Sequence, residues 1–284
     1  MARRDDSPDF IEAVARGLDV IRAFGPGQPA MSLAAVAGAT GLPRPTARRI
    51  LLTLEQLGYV RLAEGGGYEL TPRVLDLGMS YVLSRGMWEV ARPHMAALVA
   101  RTSESSSIGQ LDGSDIVYVA RVAVPKIVTL SVTIGTRFPA MQTSLGKVLL
   151  AALPPAEAER VLAEPSRSGI TPRWQPDAAA RAAVLREVRA RGWALTDEQL
   201  AHGIRSVAVP LRDGEGAVIA ALNVNSHAAE TPLEVLTGHH LPLLLEAASA
   251  ISADWAACQA APAAIYSSTD GHVSAVRTEG RSLD

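Results

Sequence analysis

Cysteine is nearly absent from this sequence: Cys258 is the single instance in 284 residues. No intramolecular disulfide framework can form, which suits a reducing compartment. Lysine is almost as scarce, with Lys126 and Lys147 the two examples, while arginine and alanine abound. The net charge is only −2 at pH 7. That excludes bulk binding of polyanions and confines any nucleic-acid contact to a local patch. Long hydrophobic runs are missing as well. The longest apolar stretches are broken by Pro, Gly or charge, which speaks against a membrane-spanning helix. Met1-Ala2-Arg3-Arg4 leads into acids, so no signal peptide is expected, and the expected location is cytoplasmic with no membrane partner.

Signatures of catalysis are lacking too. His239 and His240 are adjacent and cannot share one helical face, and no Cys or Glu cluster stands at metal spacing. Cys258 has no helix-start or basic neighbour to activate it as a nucleophile. Gly65-Gly66-Gly67 is not followed by the Lys-Ser/Thr of a phosphate loop. No catalytic residue, metal or cofactor is expected.

What is present is a stretch from Ser32 to Arg61 that organises the rest. Ser32 is a good N-cap ahead of an Ala-rich helix over residues 33–39, Gly41 permits a sharp turn, and Leu42 can anchor that turn. A second helix starts around Pro43 to Pro45, where proline is tolerated in a first turn. Its apolar positions Ala47, Ile50, Leu51, Leu54 and Leu57 recur at i, i+3, i+4, i+7. Arg44, Thr46, Arg48 and Arg49 crowd its first two turns off that stripe. Short helix, glycine turn and arginine-rich second helix make a helix-turn-helix, whose second helix meets base edges in the major groove. The runs 59–62 and 68–70, joined by Ala63 to Gly67, read as a hairpin, hence a wing. The expected DNA-contacting residues are Ser32, Arg44, Pro45, Thr46, Arg48, Arg49 and Arg61. Before this motif, Phe10, Ile11, Val14, Leu18 and Ile21 form a helical stripe expected to pack behind it.

After the wing, Thr71-Pro72 reads as an N-cap and N1 proline opening a linker helix. Trp88 to Arg101 predicts a further helix, with Pro93 a kink or late start. From Ser105 the period changes. Residues 108–111 and 116–121 read as a hairpin around Asp112-Gly113, and 129–132 as a third strand. Helices are expected at 145–153, 156–162 and 177–191, a strand at 193–196, and a second hairpin from 206–211 and 217–225. Residues 232–256 form a long apolar helix interrupted by Pro242. The expected class is α+β, with domains at 9–70 (winged helix-turn-helix), 71–87 (linker helix) and 88–258 (antiparallel sheet with helices on its faces), and a disordered tail at 259–284. Thr143 to Lys147 opens a helix, where free N–H groups and the dipole favour a carboxylate; the alternative is a merely capped helix. Asn223 and Asn225, two apart on a strand, face one side, either as a pocket wall or as a solvent-facing surface.

These motifs together resemble the IclR family of bacterial transcription regulators over roughly residues 10–256. The carriers are ARGLDVIRAF (15–24), the helix-turn-helix, LGYV (57–60), LTPRVLDLG (70–78), DGSDIVYVARV (112–122), TSLGKVLLA (143–151), GWALTDEQLAHGIRSVAVP (192–210) and ALNVN (221–225). Gln199 stands where glutamate is usual, and Thr196 where aspartate is common. The sequence is most similar to the subgroup controlling protocatechuate, 4-hydroxybenzoate and β-ketoadipate catabolism (PcaR/PobR type). The resemblance implies a winged helix-turn-helix joined by a helix to a GAF-like effector domain. It implies a homodimer or dimer of dimers on a pseudo-palindromic double-stranded operator, with RNA polymerase as a further partner. It implies a small carboxylic acid effector, aromatic or β-keto, held by backbone N–H of Ser144 and Leu145. The implied effector residues are Met141, Thr143, Ser144, Leu145, Gly146, Thr196, Ser206, Asn223 and Asn225, with apolar walls from Phe138 and Ile204. The competing reading is a GAF-like enzyme that turns over the acid it binds.

Overall fold

The computed structural model describes residues 9–25, 27–78, 86–125 and 132–260. It separates into two compact units, Met1–Gly86 and Met87–Asp284.

In the first unit, α1 (Glu12–Ala23), α2 (Leu33–Thr40) and α3 (Arg44–Gln56) enclose a small core. Ser32 caps α2 by accepting from the Ala35 amide at 3.2 Å, and Gly41 takes the left-handed conformation (φ 67°) that ends it. Ser32→Ala is expected to cost this unit about 1 kcal/mol, read as a lower thermal midpoint. Val20, Val36, Ala47, Leu51 and Leu54 fill the interior. Of the stripe expected on α1, Ile21 packs against the core, but Ile11, Val14 and Leu18 are 66%, 58% and 51% exposed; the residues fully buried there are Val20 and, at the C-cap, Phe24. Leu57 also faces solvent, because α3 has ended before it. Strands β2 (Val60–Leu62) and β3 (Tyr68–Leu70) form the hairpin, and β1 (Ala30–Met31), too short to show alternation, adds a third strand in the order β1-β3-β2. Beyond it Thr71 Oγ1 accepts from the Arg73 amide and residues 74–78 are helical. The remainder of the expected linker helix, 79–85, lies outside the described residues.

The second unit is built on one antiparallel sheet of six strands in the order β6-β5-β4-β9-β8-β7. The strands are β4 (Ser105–Asp112), β5 (Asp115–Val122), β6 (Arg137–Pro139), β7 (Ala194–Asp197), β8 (Ile204–Arg212) and β9 (Val218–His227). Sequence pattern missed β6. The strand expected at 129–132 falls on undescribed residues apart from Val132, which is in no strand. α4 (Met87–Thr102), with Pro93 inside it, packs on β5 and on α8 (Leu241–Ala260). α5 (Ser144–Ala152) lies on β4, β8 and β9, with α6 (Pro155–Leu162) and α7 (Ala178–Arg191) beside it. Residues 233–260 form one helical run. Pro242 does not break it, because a π turn at Leu236–His240 precedes α8 and supplies a wider hydrogen-bond spacing there. By length and hydropathy (1.2) this run is long and apolar enough to cross a membrane, contrary to expectation; its face carrying Leu236, Leu244 and Ile251 is buried against the sheet and α4, while most of the run stays accessible. Gln259 and Ala260, assigned to the tail from sequence, belong to α8. Residues 261–284 lie outside the described set.

Candidate functional site

The first candidate surface is the start of α3. Arg44, Pro45, Arg48 and Arg49 are exposed there, Thr46 is half-buried, and Ala47, Leu51 and Leu54 hold the opposite face in the core. Arg44 and Arg48 lie one turn apart. Ser32 is committed as the cap of α2, so its hydroxyl already has a partner. Arg61 lies on the hairpin, its Nε paired with Glu69 at 2.6 Å and its side chain exposed.

The second is an open-mouthed pocket in the other unit, with a cavity volume of about 80 Å³. Register explains its floor. Cross-strand neighbours Ser105, Asn225, Ser206 and Thr196 form one row on β4, β9, β8 and β7. Arg121, Ser107, Asn223 and Ala208 form the next. The strand period of two puts both rows on the same face. On β5 the pairs Ile108–Ala120 and Gly109–Tyr118 skip Val119, a bulge. This extra residue brings Tyr118 and Arg121, three apart, to the pocket side together.

Of the expected effector residues, Thr143, Thr196, Ser206, Asn223 and Asn225 line this pocket, as do Phe138 and Ile204. Met141, Ser144, Leu145 and Gly146 do not. Met141 and Leu145 are core residues, Ser144 is fully buried, and Gly146 packs against the backbone of Ala140. The start of α5 is largely satisfied internally. Thr143 Oγ1 accepts from the Gly146 amide at 3.0 Å. Ser144 Oγ lies 2.7 Å from Ser206 Oγ, which lies 3.1 Å from Thr196 Oγ1, a chain of three hydroxyls. By helix geometry the amides of Ser144 and Leu145 lack intrahelical acceptors. Asn223 and Asn225 bond each other and Asn223 Oδ1 accepts from the Ser107 amide, so this pair is a pocket wall and not a solvent-facing surface.

Sequence reasoning placed no arginine in the pocket, yet Arg121 lines it, holding Ser107 Oγ at 3.0 Å. Burial pulls its pKa below the usual arginine value, opposed by the Tyr118 phenol oxygen. Burial raises the Tyr118 phenol, against the pull of Arg121 and of hydrogen bonds to Asn225 and Asn223. Strict alternation through Tyr118-Val119-Ala120-Arg121 puts Arg121 on the other face, and no sequence signal announces the bulge. Glu104, Gln142 and His227 were likewise missed. Behind the pocket, Lys147 is 2% exposed. It donates to Leu195 O at 2.9 Å and to Gln199 Oε1, and sits 5.2 Å from the Trp174 ring centroid. Among the described residues no cluster of three or more His, Cys, Asp or Glu could hold a metal.

Comparison with known proteins accords with this two-part arrangement. Residues 13–63 match the IclR helix-turn-helix domain, and residues 79–253 match the description "bacterial transcriptional regulator IclR C-terminal". The chain is 37% identical over 241 residues to the Pca regulon regulatory protein of Pseudomonas putida, covering 84% of this chain and 82% of that one. It is 35% identical over 246 residues to the p-hydroxybenzoate hydroxylase transcriptional activator of Acinetobacter baylyi, covering 85% and 90%. Among solved structures, a transcriptional regulator from Rhodococcus sp. RHA1 superimposes with a TM-score of 0.76 at 44% identity, covering 88% of this chain and 100% of that one. An IclR homologue from Microbacterium hydrocarbonoxydans, complexed with 4-hydroxybenzoate, gives 0.74 at 25% identity, covering 86% and 99%.

Proposed function

The chain belongs to the IclR family of bacterial transcriptional regulators, near the Pca and p-hydroxybenzoate regulators, and from that premise we propose how it works. It is a transcriptional regulator and not an enzyme. In our reading the start of α3 reads operator bases through Arg44 and Arg48, while Pro45, Thr46, Arg49 and Arg61 position the unit on the backbone. Two copies bind a pseudo-palindromic site in the cytoplasm, as a dimer or dimer of dimers, and act on RNA polymerase. The pocket between α5 and the sheet takes a small carboxylic acid of an aromatic-catabolic branch. Relatives named for the Pca regulon and for p-hydroxybenzoate, and a homologue holding 4-hydroxybenzoate, support that class. Binding of the acid shifts the protein between two arrangements for which it has unequal affinity.

The observation that carries this reading is a pocket with mainly apolar walls and a few convergent polar groups (Arg121, Thr196, Ser206, Asn223, Asn225), in the same chain as a helix-turn-helix whose arginines face solvent. The test is binding to the promoter region next to its own gene, with single-base variants. Arg44→Ala or Arg48→Ala should cost roughly 1–3 kcal/mol and relax preference at one base pair. Equal weakening on every sequence, by both variants, would reduce these arginines to phosphate contacts.

A further inference from the structure

We infer that Arg121, and not the start of α5, holds the carboxylate of the effector, so that the acid points toward the β4–β5 side of the pocket and its far end meets the Ser206–Thr196 hydroxyls. This rests on the reading of the pocket as an effector site. Arg121 lines the pocket on the same sheet face as Asn223 and Ser206, carried there by the Val119 bulge. A guanidinium offers five donors in a planar fork matched to a carboxylate. Here one neutral hydroxyl, that of Ser107, is its hydrogen-bond partner, and among the described residues no carboxylate pairs with it. A half-buried cation without an anion is an unusual arrangement, and a charge-assisted pair with a ligand resolves it.

The opposite end is built differently. The Thr143 side chain is used on Gly146, and the Ser144, Ser206 and Thr196 hydroxyls satisfy one another. Ser144, Leu145 and Gly146 do not reach the pocket wall. Such an end suits a hydroxyl or carbonyl, which can join a hydroxyl chain without importing charge. The Arg121 guanidinium leans to the adjacent strand β4, where it holds Ser107. From β4 to β8 is two strand spacings, roughly 10 Å, which leaves room for a body about the size of one ring or short chain between the two ends.

The experiment is calorimetric titration of the full chain with three acids and their carboxamides: 4-hydroxybenzoate, 3,4-dihydroxybenzoate and adipate. The tightest acid should bind about thirtyfold better than its amide, the scale of a charge-assisted pair. Arg121→Gln should shrink that ratio below about threefold, and Arg121→Lys, which keeps charge but not the fork, should leave it intermediate. Ser206→Ala should weaken acid and amide alike and leave the ratio unchanged. A ratio that survives Arg121→Gln, or collapses in Ser206→Ala instead, places the carboxylate at the helix start and overturns the inference while the effector pocket stands. If no member of the panel binds the wild-type chain, the effector reading of the pocket falls and the inference with it. If Arg121→Gln does not fold, the lysine variant decides, since an unchanged ratio there overturns the bidentate role.

Discussion

Gly146→Ala is expected to cost the second unit about 3 kcal/mol or more, enough to unfold much of it, although the change adds a single methyl. A Cβ at residue 146 would lie 2.1 Å from Ala140 O and 2.4 Å from Ala140 Cα. Both are backbone atoms, so no rotamer change relieves the contact. The Ala140 backbone cannot retreat cheaply. Its amide donates to Ser114 O at 2.9 Å, and its carbonyl accepts from the Thr143 amide and hydroxyl at 3.1 Å. Moving it would loosen the N-cap of α5 and the rim of the pocket at Gln142 and Thr143. Urea unfolding of the full chain measures the loss. Gly17→Ala is the control. Gly17 lies within α1 with nothing inside 4 Å of its added methyl, and alanine there should stabilise by about 0.5–1 kcal/mol through helix propensity. A Gly146→Ala chain with an unchanged midpoint would mean that α5 and residues 139–142 separate freely. That would remove the close approach as the reason for glycine.

The same residue shows how far sequence reached. In sequence TSLGK reads as an effector loop, and resemblance implies that all of its residues except Lys147 serve the ligand. The structure divides their side chains: Thr143 lines the pocket, Ser144 joins it only through the Ser206 hydroxyl, Leu145 is core, and Gly146 packs on the Ala140 backbone. Resemblance could locate the loop but could not resolve which atoms face inward, since a helix start turns successive residues about 100° apart. The helix-turn-helix was legible almost to the residue because its signals are local: a serine cap, a left-handed glycine, and a stripe at helical spacing. The sheet rows Ser105–Asn225–Ser206–Thr196 were half legible. Asn223 and Asn225 announce a shared face, but their partners on β4 depend on long-range register. Arg121 was not legible at all, because it depends on a bulge defined by pairing with Ile108 and Gly109. The α1 stripe misled for a related reason. Ile11, Val14 and Leu18 keep helical spacing, yet α2 and α3 meet the face that carries Val20.

Stability of the second unit is expected to rise with pH between about 8 and just below 10, and Gln199→Glu should abolish much of that rise. Lys147 is the cause. Burial pushes its ammonium down from 10.5 to about 8, with Arg191 adding repulsion and Glu187 partly offsetting it. Its contacts are a carbonyl, an amide oxygen and an aromatic face, none of them anionic. Below about pH 8 both folded and unfolded chains carry the proton, and the folded state bears the full penalty of the buried charge. The depression from 10.5 to about 8 corresponds to roughly 3 kcal/mol. As pH rises through this window the unfolded chain keeps a proton that the folded chain has released, so unfolding becomes less favourable. Glutamate at 199 would set a carboxylate where the amide oxygen already touches Nζ. The charged lysine would then be favoured in the fold, its pKa would return toward 10.5, and the slope would flatten. The gain at pH 7 is smaller than 3 kcal/mol, since the new carboxylate must itself be desolvated. Lys147→Met should also flatten the slope, by removing the titrating group. Urea midpoints at pH 7, 8 and 9.5 for the wild type and the two variants read this directly. The upper limit stays below 10, where the Tyr118 phenol, held protonated by burial, begins to act in the opposite sense. Parallel pH curves for all three chains would show that Lys147 is not the titrating group, and that the Nζ contacts to Leu195 and Gln199 compensate its burial fully.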